Sequence, residues 1–210
     1  MTTGKRRRYN KATTIAARRA ALIDAGYRTF VLHGLDDTTM ARIGRAAGMS
    51  HGIVNYYFGT REDLLTAVFR RALFMVFAET VAGLKAAKSA RERIAVVIRA
   101  GLTADGFTQE CAAAWMAFYS KLDENVEYAR VQTAYDARVM SNLRHDLKHL
   151  MPAERANVVA HIIAALMDGM WTRRSTPDGT ISAEEAIAVI EAYVDREIAL
   201  AARQKNLPRI

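Results

Sequence analysis

A single cysteine, Cys111, among 210 residues excludes a disulfide framework within the chain and any cysteine-rich zinc site. Prolines are just as sparse, three in all, and two of them (Pro152 and Pro177) fall near segment ends. That scarcity of helix breakers, beside abundant Ala, Leu, Arg and Met, predicts helices. No apolar run approaches the ~20 residues that span a bilayer. No alternating run rich in Val, Ile and Thr marks a strand. The basic N-terminus is not followed by the apolar stretch of a signal peptide. Enzyme patterns are missing as well: there is no phosphate-cradling glycine loop, no serine nucleophile elbow and no paired acid–base motif. The expectation is an all-α, cytoplasmic protein that is not an enzyme and needs no cofactor, metal or membrane.

What is present is an ordinary globular composition, 51% apolar and 25% charged, with its charge unevenly placed. Residues 1–60 hold 10 Lys and Arg against 3 Asp and Glu, whereas residues 61–210 hold 20 against 19. A net +7 in the first sixty residues predicts a polyanion-binding module, 1–60, joined to a nearly neutral body, 61–210. Lys5–Arg8 alone reads as a solvated basic tail, the alternative being that it adds phosphate or minor-groove contacts.

Apolar spacing and capping residues predict nine helices: about Thr13–Leu32, a short one from Thr39 to Ala47, and one from Ser50 to Tyr57. The remainder are Arg61–Leu84, Ala90–Phe107, Thr108–Asp123, Val126–Leu150, Ala153–Arg174 and Ser182–Arg203. The segment Thr38-Thr39-Met40-Ala41-Arg42-Ile43-Gly44-Arg45-Ala46-Ala47-Gly48-Met49-Ser50 has the layout of a helix-turn-helix. Gly48 suits a tight turn of positive φ, Ala46 and Ala47 suit close helix approach, and Ile43, Met49, Val54 and Phe58 suit anchoring to the first helix. Ser50, His51, Gly52, Asn55 and Tyr56 then remain outward on the second helix, as short, polar or aromatic side chains able to meet base edges and phosphates.

Thr38-Thr39, Ile43, Ala47-Gly48-Met49-Ser50, Val54, Tyr56-Tyr57-Phe58 and Arg61-Glu62-Asp63-Leu64-Leu65 together resemble the DNA-binding signature of the TetR family of bacterial repressors. The resemblance covers about Arg18 to Leu65. It implies a homodimer with an N-terminal helix-turn-helix and a helical C-terminal ligand-binding and dimerisation domain. It assigns Thr39, the Ser50–Tyr57 helix (Tyr57 included) and Arg61 to contact with double-stranded operator DNA. Asn55 stands where many members carry an aromatic residue, so one backbone contact is expected to be rearranged. A second resemblance covers the latter half of the chain. Ala113-Ala114-Trp115-Met116-Ala117-Phe118-Tyr119, Ser141-Asn142-Leu143 and Ala165-Leu166-Met167-Asp168-Gly169-Met170-Trp171 are similar to the betaine-pathway repressor subgroup, whose best-known members respond to choline.

Trp115 and Tyr119 lie four apart on one helix, and Asp168 and Trp171 lie three apart on another, so each pair shares a face. Aromatic faces with one carboxylate suit a quaternary ammonium inducer, which donates no strong hydrogen bond and is held by ring quadrupoles and a counter-charge. The competing reading packs Trp115 and Trp171 into the core with their indole N–H groups satisfied. His145 and His149 have metal-ligand spacing, but no third ligand is evident and Asp146 is shorter than the glutamate of zinc-protease helices. A solvated helix face fits better. Cys111 reads as a small buried residue.

Dimerisation is expected through the last two helices, with Val158, Ile162, Ala165 and Met170 on one and Ile187, Ile190, Val194 and Ile198 on the other. A two-fold dimer requires a pseudo-palindromic operator with half-sites about 34–36 Å apart. The alternatives are a repressor of another pathway with a non-cationic inducer, and a non-specific DNA-binding protein.

Overall fold

The computed structural model describes residues 3–103 and 106–205, with side chains described for 14–103 and 106–204. The side chains of Lys5–Arg8 lie outside the described residues. Among the described residues there are nine helices and no strand: α1 (Thr3–His33), α2 (Met40–Ala46), α3 (His51–Phe58), α4 (Arg61–Ala86), α5 (Ala90–Gly101), α6 (Gln109–Tyr119), α7 (Val126–Leu147), α8 (Ala153–Ser175) and α9 (Ala183–Lys205). The all-α expectation therefore holds, and its local logic is visible at the helix starts. The side chains of Thr39, Ser50, Ser89, Thr108 and Asn125 each accept a backbone N–H from the first turn of the helix that follows. Thr60 does the same for α4, accepting from Asp63 N at 3.1 Å while its hydroxyl donates to Asp63 Oδ2 at 2.6 Å.

Two helix ends fall four or more residues earlier than their apolar spacing predicts. α5 stops at Gly101 rather than Phe107, because Leu102 leaves helical geometry at φ −133° and ψ 37°. The chain then turns on the Thr103 carbonyl, which accepts from both Gly106 N and Phe107 N. α6 stops at Tyr119 rather than Asp123, where Ser120 turns its hydroxyl back onto the Ala117 carbonyl.

The chain forms two compact units, residues 1–72 and 73–210. The first runs past Thr60 because the opening turns of α4 belong to its core: Leu64, Leu65, Val68 and Phe69 are fully buried there. Phe30 meets Phe69 edge-on with ring centroids 5.1 Å apart, and Leu22, Ile43 and Val54 complete the apolar interior.

The second unit is a bundle built from α5 to α9. Ile94 and Ile98 of α5, Leu143 and Leu147 of α7, Ile163 of α8 and Ile190 and Val194 of α9 share one core. Arg93 reaches from α5 to the buried Asp146 of α7 (Nε–Oδ1 2.7 Å) and donates to the Leu84 carbonyl in α4 at 3.0 Å. The apolar stripes expected at a dimer contact divide in two. Ile190 and Val194 are fully buried within the monomer, and Met170, Ile187 and Ile198 pack against its core. Outward-facing positions are instead Val158 (45% exposed) and Ile162 (36%) with Ala165 on α8, joined by Val189 and Leu200 on α9. On α9 the bundle core takes one face, so the solvent face begins one residue away from the expected stripe.

Candidate functional site

Two surfaces carry chemistry, one in each unit. In the first, α2 and α3 are joined by a turn whose tightness comes from two glycines. Gly48 adopts φ +67°, as its place in the turn requires. Gly44 makes the close approach: a Cβ there would stand 2.8 Å from the Met49 carbonyl oxygen and 3.0 Å from Val54 Cγ2. Ala46, expected to serve that contact, is exposed. Ile43, Val54 and Phe58 anchor the pair as expected, with Met49 half-buried.

The anchoring leaves Ser50, His51, Gly52, Asn55 and Tyr56 on the outer face of α3. Tyr56 is 78% exposed, and Asn55 Nδ2 lies 3.3 Å from His51 Nδ1, one turn away. Thr39 and Ser50 use their oxygens to accept from Arg42 N and Ile53 N, which leaves each hydroxyl hydrogen available to a phosphate. Tyr57 is half-buried, and its carbonyl accepts from Arg19 Nη1 at 2.9 Å while the Arg19 guanidinium lies 4.1 Å from the centroid of the Phe58 ring.

Arg61 departs from the expected set. Its Nε donates to the Thr38 carbonyl at 2.8 Å, one Nη donates to the Leu35 carbonyl, and the other stands 3.5 Å from Glu62. Two buried-side carbonyls at the α1–α2 turn thus occupy the fork that was expected to meet a phosphate. Arg61 clamps α4 to that turn.

In the second unit, a cavity of about 110 Å³ opens between α5, α6, α7 and α8. That is several times the ~10–15 Å³ that one water needs on such a measure. Tyr119, Asp168 and Trp171 come together in its lining, joined by Tyr135, Asp136 and Met140. Trp115 is not in the lining. It is buried behind it, T-shaped against Phe118 at 5.2 Å and tilted against Tyr119 at 6.2 Å. The early end of α5 explains the posture of Trp171: its indole N–H donates to the Gly101 carbonyl at 2.9 Å, and its ring meets Phe107 edge-on at 5.0 Å.

Tyr135 and Asp136 escaped sequence reasoning, yet a signal was there. Gln132, Tyr135, Asp136 and Val139 recur at i, i+3, i+4 and i+7, an amphipathic stripe whose inner face is polar and aromatic. Gln132 is buried and donates from Nε2 to Asp136 Oδ1 at 2.8 Å. Burial pushes the Asp136 carboxyl above the ordinary carboxylate range despite that hydrogen bond. Burial also raises Asp168, and the nearby Asp136 charge raises it further. The same loss of hydration, followed by the two carboxylates, raises the Tyr135 phenol to about 12. Tyr119 rises too, through burial first and then Asp168. Both phenols are therefore neutral at physiological pH.

Other grooves offer less. One of about 390 Å³ beside α5 and α9 is lined by Arg91, Arg99 and Glu191, which pair with one another or with Asp195, and no aromatic ring lines it. His145 and His149 stack on α7 with centroids 5.3 Å apart, His145 Nδ1 lying 3.1 Å from Asp146 Oδ1. Among the described residues no group of three potential ligands gathers there or elsewhere. Cys111 is buried. No helix among the described residues is long and apolar enough to cross a membrane.

The family model for bacterial regulatory proteins of the tetR family matches residues 22–68. The model for the C-terminal domain of BetI-type transcriptional repressors matches residues 90–199. An HTH-type transcriptional regulator BetI from Rhizobium meliloti is 39% identical over 181 residues, covering 86% of this chain and 89% of that protein. A protein of the same name from Agrobacterium fabrum is 35% identical, with 86% and 88% covered. Among solved structures, a transcriptional regulator from Pseudomonas aeruginosa superposes with a TM-score of 0.74 at 23% identity, covering 90% of this chain and 94% of that one. Another from Saccharomonospora viridis, solved in complex with choline, gives 0.75 at 18% identity, covering 86% and 96%. At those identities the structural likeness is one of fold.

Proposed function

The chain belongs to the TetR family of bacterial transcriptional regulators and carries a BetI-type C-terminal domain, and from that premise we propose that it is a homodimeric repressor released from its operator by choline or a related quaternary ammonium compound. The observation that carries the choline part is the second-unit cavity, where Tyr119, Tyr135 and Trp171 supply ring faces and Asp168 supplies a carboxylate. Neutral rings and an anionic group are what a cation without strong hydrogen-bond donors requires. The names of the BetI relatives and the choline complex of the Saccharomonospora viridis regulator support the same reading. Trp115 enters it as the support behind Tyr119.

On the DNA side, the proposed contacts are Thr39, Ser50, His51, Gly52, Asn55 and Tyr56, with Tyr57 at the margin and Arg61 holding the turn beneath them. The outward apolar residues Val158, Ile162, Ala165, Val189 and Leu200 are the proposed dimer face, and its two-fold axis calls for a pseudo-palindromic operator. Ligand and DNA are coupled only if choline binds the DNA-incompetent form better than the competent one; tight binding alone shifts nothing.

The test begins with selection of bound sequences from a random duplex pool, which is expected to return an inverted repeat. Choline is then expected to release that DNA and to raise the melting temperature of the free protein, by the equivalent of ~2.7 kcal/mol at a hundred times its Kd. Tyr56→Ala is expected to weaken operator binding with the melting temperature unchanged. Recovery of no preferred sequence favours the non-specific binder. An inverted repeat that quaternary ammonium compounds do not release favours a TetR-type repressor with a non-cationic inducer.

A further inference from the structure

The cavity holds two carboxylates, Asp136 and Asp168, whereas a monocation needs one. Its lining contains no Lys, Arg or His that would neutralise the second. The two carboxylates also differ in how they are held. Among the described residues nothing hydrogen-bonds to the Asp168 carboxylate, whose residue only accepts Thr172 Oγ1 at its backbone carbonyl (2.9 Å); three residues from Trp171 on α8, the carboxylate is free to act as a diffuse counter-charge. Asp136 is directed: the buried Gln132, one turn earlier on α7, fixes its Oδ1 at 2.8 Å.

We propose that the two carboxylates divide the recognition of a quaternary ammonium alcohol, Asp168 balancing the ammonium and Asp136, positioned by Gln132, accepting the hydroxyl hydrogen. A carboxylate offers about four acceptor sites and no donor. With one site taken by Gln132, the others ask the ligand for a hydrogen. An alcohol has one to give, whereas an alkyl group of the same size has none. The carboxylate made by oxidising that alcohol brings a third negative charge into a lining that already carries two. The site therefore distinguishes the alcohol from its own oxidation product. Burial raises both carboxyls above their ordinary range, and the neighbouring Asp136 charge raises Asp168 further. The inference rests on the cation-site reading above.

Calorimetric titration of the full-length protein with choline, propyltrimethylammonium and glycine betaine tests it. The wild type is expected to prefer choline over propyltrimethylammonium by roughly ten- to hundredfold, the worth of one charge-assisted hydrogen bond, and to bind glycine betaine far more weakly than either. Asp136→Leu is expected to bring the choline preference to about one, to leave propyltrimethylammonium within a few-fold of wild type and to improve glycine betaine binding. Gln132→Met is expected to cut the preference without affecting propyltrimethylammonium. Asp168→Asn is expected to weaken choline and propyltrimethylammonium by the same factor. Equal wild-type affinity for choline and propyltrimethylammonium overturns the proposal without recourse to any variant, and so does an equal loss of both in Asp136→Leu. Failure of the wild type to bind any of the three overturns the cation site itself.

Discussion

Arg61→Ala separates two roles that one residue type can play at a helix start. In the clamp, the guanidinium donates to the carbonyls of Leu35 and Thr38, fixing α4 against the α1–α2 turn. A hydrogen bond from a charged group contributes about 1.5–3 kcal/mol. The Arg61 side chain is 30% exposed, so water partly replaces it when it is removed. The expected cost for the pair is therefore about 2–4 kcal/mol, a large fraction of the ~5–15 kcal/mol that holds a typical domain. Arg61→Lys keeps the charge but lacks the planar fork, so it is expected to recover about half. Urea unfolding followed by circular dichroism measures the loss, and hydrogen exchange across residues 35–47 shows whether it falls on the α1–α2 segment. Binding to non-specific duplex DNA supplies the other arm. A clamp predicts an unchanged dependence of affinity on salt, whereas loss of one phosphate contact lowers the slope of log K against log salt by about 0.9. Unaltered unfolding together with a slope reduced by that amount would refute the clamp and return Arg61 to the DNA face.

Gly44→Ala is expected to destabilise the first unit by about 1–2 kcal/mol in thermal denaturation. The clash with the Met49 carbonyl and Val54 outweighs the ~1 kcal/mol that alanine gains over glycine in a helix. Asp146→Ala leaves Arg93 without its carboxylate in the second unit and is expected to cost about 3 kcal/mol by urea denaturation; replacing both members by apolar residues of similar volume should recover most of that. Asp168→Asn is expected to raise the melting temperature of the ligand-free protein at pH 7. A carboxyl whose folded value is raised gives its stabilisation below its unfolded value and loses it as pH climbs through the raised one, so the difference between variant and wild type should narrow on acidification.

The helices were legible because capping residues and apolar spacing act locally. Thr39, Ser50 and Thr60 cap their helices in the structure as their side chains predict. Misplaced ends belong to segments where tertiary contacts prevail. Residues 102–107 continue a helical pattern, yet burying Phe107 against Trp171 requires the chain to turn at Leu102. In the turn motif, alanines are a generic sign of close approach, whereas the actual contact point, Gly44, depends on the path of Met49 on the next segment. The cavity was half legible. Helical spacing pairs Tyr119 with Trp115 and Asp168 with Trp171, but spacing does not say which ring of a pair turns inward. It also carries no information on α7, which contributes Tyr135 and Asp136 through packing of distant segments. Arg61 shows the same limit for charge, since the carbonyls that occupy it come from residues 35 and 38.

The two indoles give the protein a built-in optical reporter. The chain has only two tryptophans, Trp115 and Trp171, and both belong to the second unit. Emission excited at the red edge, beyond tyrosine absorption, therefore comes from that unit alone. Trp171 borders the cavity and meets whatever enters it, while Trp115 is shielded behind Tyr119 and emits as an internal reference in the same molecule. A ligand that perturbs the first indole and spares the second yields a spectral shift with a constant buried component, without any attached dye. The first unit, having no indole, melts dark: any ellipticity lost before the emission changes is the DNA-binding unit unfolding by itself.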